Sequence, residues 1–360
     1  MRKTKLNIFI FFIVASCGVV ISQTSFDIGA SHIQGININK AGDREFGETN
    51  PIGIEFRFNK QRTGEKYWEK HLNYPQTGWS ISWINHRNEF LKHTIALNRY
   101  IHCVFLRRKY FNMYLKLAQG VMFATSVYEK GSDKNERYNN AIGQYVNFSE
   151  EIGLGITVYP TKKLAINLGA TGIHFSNGSM AQPNDGLNLL MFNAGVSYCY
   201  GNAVEFLDPE KPEFDKRIKF NINPGVGFKQ QNRNDNVKYQ LFTFSLYADK
   251  MLTRVNALNI GLDVYVNGAE KQVASSYAVY AGKDYRRIGV SAGNELFLGK
   301  AGLLTQVGYY VYSPIPSNSN FYQKFGFKYY LNDVFFTTFT AKFYNLEISD
   351  EIAWGIGMRL

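Results

Sequence analysis

His174 and Ser176 stand two residues apart in GIHFSNGSMAQPNDGLNLL, residues 172–190, and Asn188 follows a polar turn. A serine hydroxyl is a weak nucleophile until an adjacent base takes its proton, and imidazole is a common base. The base needs a third group that fixes its tautomer and orientation. A Ser–His–Asn set of this kind is suited to acyl transfer through an acyl-serine. Asn188 is neutral, and a neutral amide is easier to place at a lipid border than a carboxylate. The turn also holds candidate donors for a developing oxyanion: Asn177, Gly178 and Asn184, through backbone N–H groups after Ser176 or through carboxamides. Removing one such donor typically costs about 10²–10³ in rate.

Whether these groups can meet depends on the elements that carry them. From Lys163 onward, Leu164, Ile166 and Leu168 share one face with Ala170 and Gly172. Ala165, Asn167, Gly169 and Thr171 share the other. That is the period of two of a β-strand. His174 and Ser176 continue the apolar face. In the following run Leu190, Phe192, Ala194, Val196, Tyr198 and Tyr200 form one face, to which Asn188 belongs. A hairpin symmetric about residue 181 sets Asn188 across from His174, and such partners have Cβ atoms about 4.5–5.5 Å apart. In the preceding run Glu150 shares a face with Val146, Phe148, Ile152 and Leu154. A turn centred on residue 162 sets Glu150 on the other flank of His174, either as a solvated carboxylate at a membrane rim or as a partner of the imidazole.

The alternation recurs near 111–123, 217–229, 238–250, 256–267, 284–298, 301–313, 321–331, 334–344 and 351–360. Short turns at 160–163, 299–300 and 332–333 alternate with long polar loops near 126–144, 229–237, 268–283 and 314–320. Short turns at one end and long loops at the other predict an all-β fold, a transmembrane antiparallel β-barrel. The count is about 14 strands, with 16 the other even number, because the region before residue 105 reads ambiguously. Only helices and closed barrels satisfy their backbone groups in lipid. Past the N-terminus no apolar run is long enough to cross as a helix. A soluble β-sandwich is the rival, but Gly 32, Tyr 24 and Phe 28 together with the turn asymmetry favour the membrane barrel.

Residues 1–22 read as a secretory signal peptide. Arg2, Lys3 and Lys5 precede an apolar core from Ile8 to Val14, and cleavage falls after Ser22. Lipidation at Cys17, in VASC, is the alternative. Residues 23–360 are then the barrel, with the active-site hairpin at 164–200. The end of the chain, AWGIGMRL, is similar to the C-terminal signal of bacterial outer-membrane barrels. Residues 202–217 read as a long periplasmic turn or a small plug.

Lys+Arg 40 against Asp+Glu 29 gives a charge of +11. In an exported chain this points to anionic lipid headgroups, or simply to a solvated surface, and not to nucleic acid. Cys103 and Cys199 are open to pairing or to remaining free. No metal-ligand cluster and no phosphate-binding glycine loop is evident. Arg107, Arg108 and Lys109 read as an ordinary charged periplasmic turn. His32, His71, His86, His93 and His102 have no partner spacing.

HFSNGSMAQPNDGLN resembles the active-site hairpin of the lipid A deacylase family, outer-membrane barrels that remove an ester-linked acyl chain from lipopolysaccharide. The His-x-Ser-Asn start and the Pro-Asn-Asp-Gly turn both match. That family has Glu where this chain has Asn188, and Glu150 is the residue placed to replace the missing acid. Outer-membrane phospholipase A has a similar His-x-Ser-Asn-Gly start and an Asn as third member. The first resemblance implies an outer-membrane acyloxyacyl or lipid A ester hydrolase acting on lipopolysaccharide in the outer leaflet, with no required cofactor. The second implies a phospholipase, with Ca²⁺ and a homodimer. A non-enzymatic barrel, a channel or structural protein with a decayed site, is the third reading.

Overall fold

The computed structural model describes residues 24–39, 47–131, 139–234, 237–345 and 348–360. The signal peptide expected at 1–22 lies outside the described residues. Eight strands form a first closed barrel: β1 (Thr24–Asn37), β2 (Ile52–Gln61), β3 (Gln76–Asn85), β4 (His93–Arg107), β5 (Phe111–Ala124), β6 (Val146–Val158), β7 (Leu164–Ser176) and β8 (Leu187–Ala203). Eight more form a second: β9 (Ile218–Gln230), β10 (Lys238–Thr253), β11 (Asn256–Asn267), β12 (Arg287–Leu298), β13 (Ala301–Tyr312), β14 (Phe321–Tyr330), β15 (Phe335–Tyr344) and β16 (Ile348–Arg359). Among the described residues two short α-helices, α1 (Tyr67–His71) and α2 (Gly268–Ser276), lie in connections. Among the described residues no helix is long and apolar enough to cross a membrane.

The expected single barrel of about 14 strands is thereby corrected to two closed barrels of eight. The cause is a closure that no local pattern announces. β8 returns to β1 in a register that runs from Asn37↔Leu189 to Thr24↔Ala203, so the first ladder has no free edge for β9. The connecting segment holds Pro209 and Pro212 and forms no strand. Proline cannot donate to a ladder, which helps end pairing there. β9 pairs instead with β16 and closes the second sheet. Leu207 N–H donates to Thr63 O at 2.8 Å, and the Phe206 ring packs tilted against Tyr74, centroids 4.5 Å apart. The segment is thus a strap between the barrels, fastened to the turn end of the first.

Strand parity follows the sequence pattern. On β7, Leu164, Ile166 and Leu168 point out and are exposed, while Ala165, Asn167, Thr171, Ile173 and Phe175 point in and are buried. Eight strands enclose a space just wide enough for side chains to fill. The fillings are ionic. In the first barrel Lys116 Nζ sits 2.9 Å from Glu55 and 2.8 Å from Glu151. In the second, Lys328 meets Glu295 at 2.9 Å, Lys324 meets Asp263 at 2.6 Å, and Lys342 meets Glu351 at 2.9 Å. Ions this buried persist only when paired. The internal cavity beside Lys116 is about 10 Å³, room for about one water. The outward faces, by contrast, carry exposed Ile54, Phe56, Phe58, Trp79 and Ile81 on the first barrel and Phe242, Phe244, Leu258, Ile260 and Leu262 on the second. Polar inside and apolar outside is the inversion expected of a barrel in lipid. Cys103 and Cys199 are both free thiols.

Candidate active site

β7 and β8 pair with His174 opposite Asn188 and Phe175 opposite Leu187. Both polar side chains lie on the outward, lipid-facing side and are half-buried. The imidazole Nδ1 is 2.7 Å from Asn188 Oδ1. An amide oxygen can only accept, so Nδ1 carries the proton and Nε2 is left with its lone pair. Nε2 is buried and has no hydrogen-bond partner. Ser176 follows two residues on along the same face, about 7 Å in backbone terms, and is 5% exposed. Its hydroxyl does not reach Nε2 in this unliganded geometry. Catalytic hydrogen bonds are often long until substrate closes the site.

The ring has room because residue 186 is a glycine. A Cβ at Gly186 would lie 2.9 Å from His174 Cε1, and its φ of +75° disfavours any other residue. The backbone of Asn188 is held from outside the hairpin. Its N–H donates to Asn39 Oδ1 at 2.7 Å, and its carbonyl accepts from Ile38 N–H at 2.9 Å. Asn39 Nδ2 in turn donates to Gly186 O at 2.9 Å. Asn39 thus ties Asn188 and Gly186 together from the end of β1. Sequence reading missed it. Asn39 lies 149 residues from Asn188, and only the closure of β8 on β1 brings the two together.

The loop 177–186 is internally bonded. Asn177 N–H donates to Asn184 Oδ1 at 2.9 Å, and Asn177 Oδ1 accepts from Ala181 N–H at 3.1 Å. The Asn177 backbone N–H expected to serve an oxyanion is therefore engaged within the loop. Two donors stay open: Asn177 Nδ2 and Asn184 Nδ2 are both buried without a partner. Gly178 has φ +62° and presses on the second barrel, where a Cβ added to it would lie 2.3 Å from Ile352 Cδ1.

Glu150 is the register partner of His174 on β6, on the flank away from Asn188. It makes no hydrogen bond to the ring, because Nδ1 is taken by Asn188 and Nε2 has no partner. Gln119 lies opposite Glu150 on β5. Gln119, Glu150, His174 and Asn188 thus make one polar row across four strands, which Arg99, opposite Gln119 on β4, continues onto a fifth.

The other candidates fall elsewhere. Arg107 donates to Asn73 O and Tyr74 O at the turn end. His86 is buried beside Thr94 Oγ1, and burial holds its imidazole down at about 3. His102 stacks on Tyr114 inside the barrel, ring centroids 4.0 Å apart. Among the described residues no group of three His, Cys, Asp or Glu is placed to hold a metal ion.

Two family models match the chain. Residues 52–197 match the lipid A 3-O-deacylase (PagL) model, and residues 218–360 match the acyloxyacyl hydrolase C-terminal domain model. Each falls on one barrel. No curated protein matches the chain. Among solved structures, the crystal structure of the outer membrane enzyme PagL is 17% identical, with 46% of this chain and 97% of that one covered and a TM-score of 0.32. The crystal structure of Neisserial surface protein A is 10% identical, with coverage of 49% and 98% and a TM-score of 0.35. The outer membrane protein Omp33 of Acinetobacter baumannii is 9% identical, with coverage of 94% and 98% and a TM-score of 0.18.

Proposed function

The chain belongs to the lipid A 3-O-deacylase family and resides in the outer membrane, and from that premise we propose that it hydrolyses an ester-linked acyl chain of lipid A through Ser176, His174 and Asn188. The observation that carries the reading is the 2.7 Å contact between His174 Nδ1 and Asn188 Oδ1, which leaves Nε2 as a free base on the strand face that also bears Ser176.

The steps follow from the groups. His174 Nε2 takes the Ser176 proton as Oγ attacks the ester carbonyl. The Asn177 and Asn184 carboxamides donate to the oxyanion. The intermediate collapses as His174 returns the proton to the departing sugar hydroxyl, leaving an acyl-serine. Water, deprotonated by the same imidazole, then releases the fatty acid. Asn188 holds the imidazole in the required tautomer throughout. Glu150, on the opposite flank, favours the imidazolium that forms twice per turnover. The substrate arrives laterally from the outer leaflet, because the site faces outward and the lumen beside it is filled.

A phospholipase is the second reading, favoured by one feature, an Asn in place of an acid as third member. Purified protein is incubated separately with lipopolysaccharide and with phospholipid vesicles, and released fatty acid is measured by mass spectrometry. Release from lipopolysaccharide alone is the expected result. Release from phospholipid alone rejects the lipid A assignment. Equal release from wild type and Ser176→Ala rejects the esterase site itself. The filled interiors weigh against a channel.

A further inference from the structure

The second barrel contributes none of the proposed reacting groups, yet it grips the loop that carries the nucleophile's neighbours. Gln182 N–H donates to Gln230 Oε1 at 2.9 Å, Gln230 N–H donates to Ser179 O at 2.9 Å, and Ser179 Oγ donates to Ser349 O at 2.9 Å. Gly178 lies against Ile352 closely enough that a single methyl would collide. Phe148, the register partner of Ser176, packs on Phe339 at 4.8 Å and Trp354 at 6.3 Å. Ala341 and Ile352 form an outward cross-strand pair on β15 and β16, yet are 3% and 2% exposed.

Two physical points make this more than packing. In lipid, one apolar wall gains little by covering another, since acyl chains solvate it equally well. The specific contacts therefore define this junction: the three hydrogen bonds above fall on residues 179–182, and two longer ones, Lys238 Nζ to Gln144 Oε1 and Lys130 Nζ to Asn234 O, each 3.3 Å, join exposed loop residues. The loop also does not select its own shape. Gly178 and Ser179 both have φ of +62°, and a serine keeps a left-handed conformation only where its surroundings over-determine it. Asn140 and Ala141 hold the other limb: Asn140 O accepts from Asp185 N–H and Ala141 O from Gly186 N–H, each at 3.2 Å.

We propose that the second barrel is a positioning element for the first: Gln230, Ser349 and Ile352 lock the 177–186 loop in the conformation that aims the Asn177 and Asn184 carboxamides at the carbonyl attacked by Ser176. This rests on the ester-hydrolysis reading above. It concerns the transition state and not the grip on ground-state lipid, so it lowers kcat when broken and leaves KM nearly alone.

The test uses the full chain, folded in detergent micelles with lipopolysaccharide as substrate, and heat-modifiable gel migration as the check that both barrels are folded. Gln230→Ala, Ile352→Ala and Ser179→Ala each reduce kcat by about 10- to 100-fold, the scale of a misplaced catalytic group, with KM within about twofold. Gln230→Glu, which keeps the acceptor for Gln182 N–H, restores most of the rate. Ser179→Ala sits in the loop, so it reports even if a substitution in the second barrel prevents folding. Wild-type kcat in all three folded variants, against an inactive Ser176→Ala, overturns the positioning role and leaves the site standing. Equal losses in Gln230→Ala and Gln230→Glu, or a rise in KM alone, also overturn it. Undiminished release by Ser176→Ala overturns the underlying reading instead.

Discussion

The two barrels share strand number, antiparallel order and an ion-paired interior, but they differ on their outer walls. The first carries a polar row, Gln119, Glu150, His174 and Asn188, across four strands. The second has no histidine at all, since all 6 in the chain precede residue 175. Polar groups on a lipid-facing wall are costly away from the interface. Their concentration on one barrel, beside the loop, is the reason the proposed chemistry is assigned to that wall. The apolar wall of its neighbour is fit for contact. Duplication of an architecture does not duplicate its function, because function resides in a handful of outward side chains.

The sharpest way to break this comparison is to remove the hydroxyl. Ser176→Ala is expected to reduce acyl release by at least about 10⁴-fold, whereas Ser291→Ala, inside the second barrel, leaves it unchanged. Similar losses from both would dissolve the functional division. Next in size are the interior lysines. Lys116→Met removes the ammonium shared by Glu55 and Glu151 in the first barrel, where Glu55 keeps Arg57 at 3.5 Å, and Lys328→Met removes the ammonium paired with Glu295 in the second, where the Tyr330 hydroxyl stays at 2.6 Å. Each is expected to cost about 3–5 kcal/mol of stability. Denaturant unfolding followed by tryptophan fluorescence and gel migration separates two cases. Independent barrels give two transitions, each shifted by only one of the substitutions, and that is the expected outcome. One transition moved equally by both shows a single cooperative unit.

The flanks of His174 give a smaller contrast. Asn188→Ala removes the acceptor at Nδ1 and frees the ring to adopt the wrong tautomer, with an expected fall in kcat of about 100-fold. Glu150→Gln removes a charge that touches no ring nitrogen, with an expected fall of about tenfold or less, given how weakly such a flanking charge acts without a hydrogen bond. A larger loss in Glu150→Gln than in Asn188→Ala transfers the orienting role to the carboxylate.

What could be read in advance divides along the same lines. Parity is local, so the shared face of His174 and Ser176 followed from a period of two. The facing of Asn188 followed from taking the hairpin as symmetric about residue 181, since register and loop length are linked. Closure is not local. Nothing in β8 announces β1, far earlier in the chain, as its partner, and so neither the two-barrel partition nor Asn39 could be read. The first four strands were obscured because their inward faces hold Glu55, Arg57, Asn98 and His102. These polar residues belong inside an eight-stranded barrel, but in sequence they resemble loop. The docking of the second barrel on Gly178 and Ser179 was likewise invisible, since it depends on how two closed bodies meet.

That docking has one further consequence, for where the acyl chain lies. The second barrel occupies the β6–β7 side of Ser176, through Phe148 and Gly178. Among the described residues the β8–β1 side stays open. There Ile36, Ile38 and Phe192 are 47%, 52% and 56% exposed, and Ile38 is bonded through its backbone to Asn188 itself. A lipid chain whose ester reaches Ser176 has an apolar track on this side and a wall on the other. Ile38→Asn removes part of the track without touching the imidazole. It is expected to raise KM about three- to tenfold, the equivalent of one or two methylenes at about 0.8 kcal/mol each, and to leave kcat within about twofold. Leu246→Asn, an equally apolar exposed position on the second barrel, leaves both parameters unchanged. If Ile38→Asn leaves KM where it was while a polar substitution at Phe339 raises it, the chain runs along the seam between the barrels, and the second barrel is a substrate surface instead of a wall.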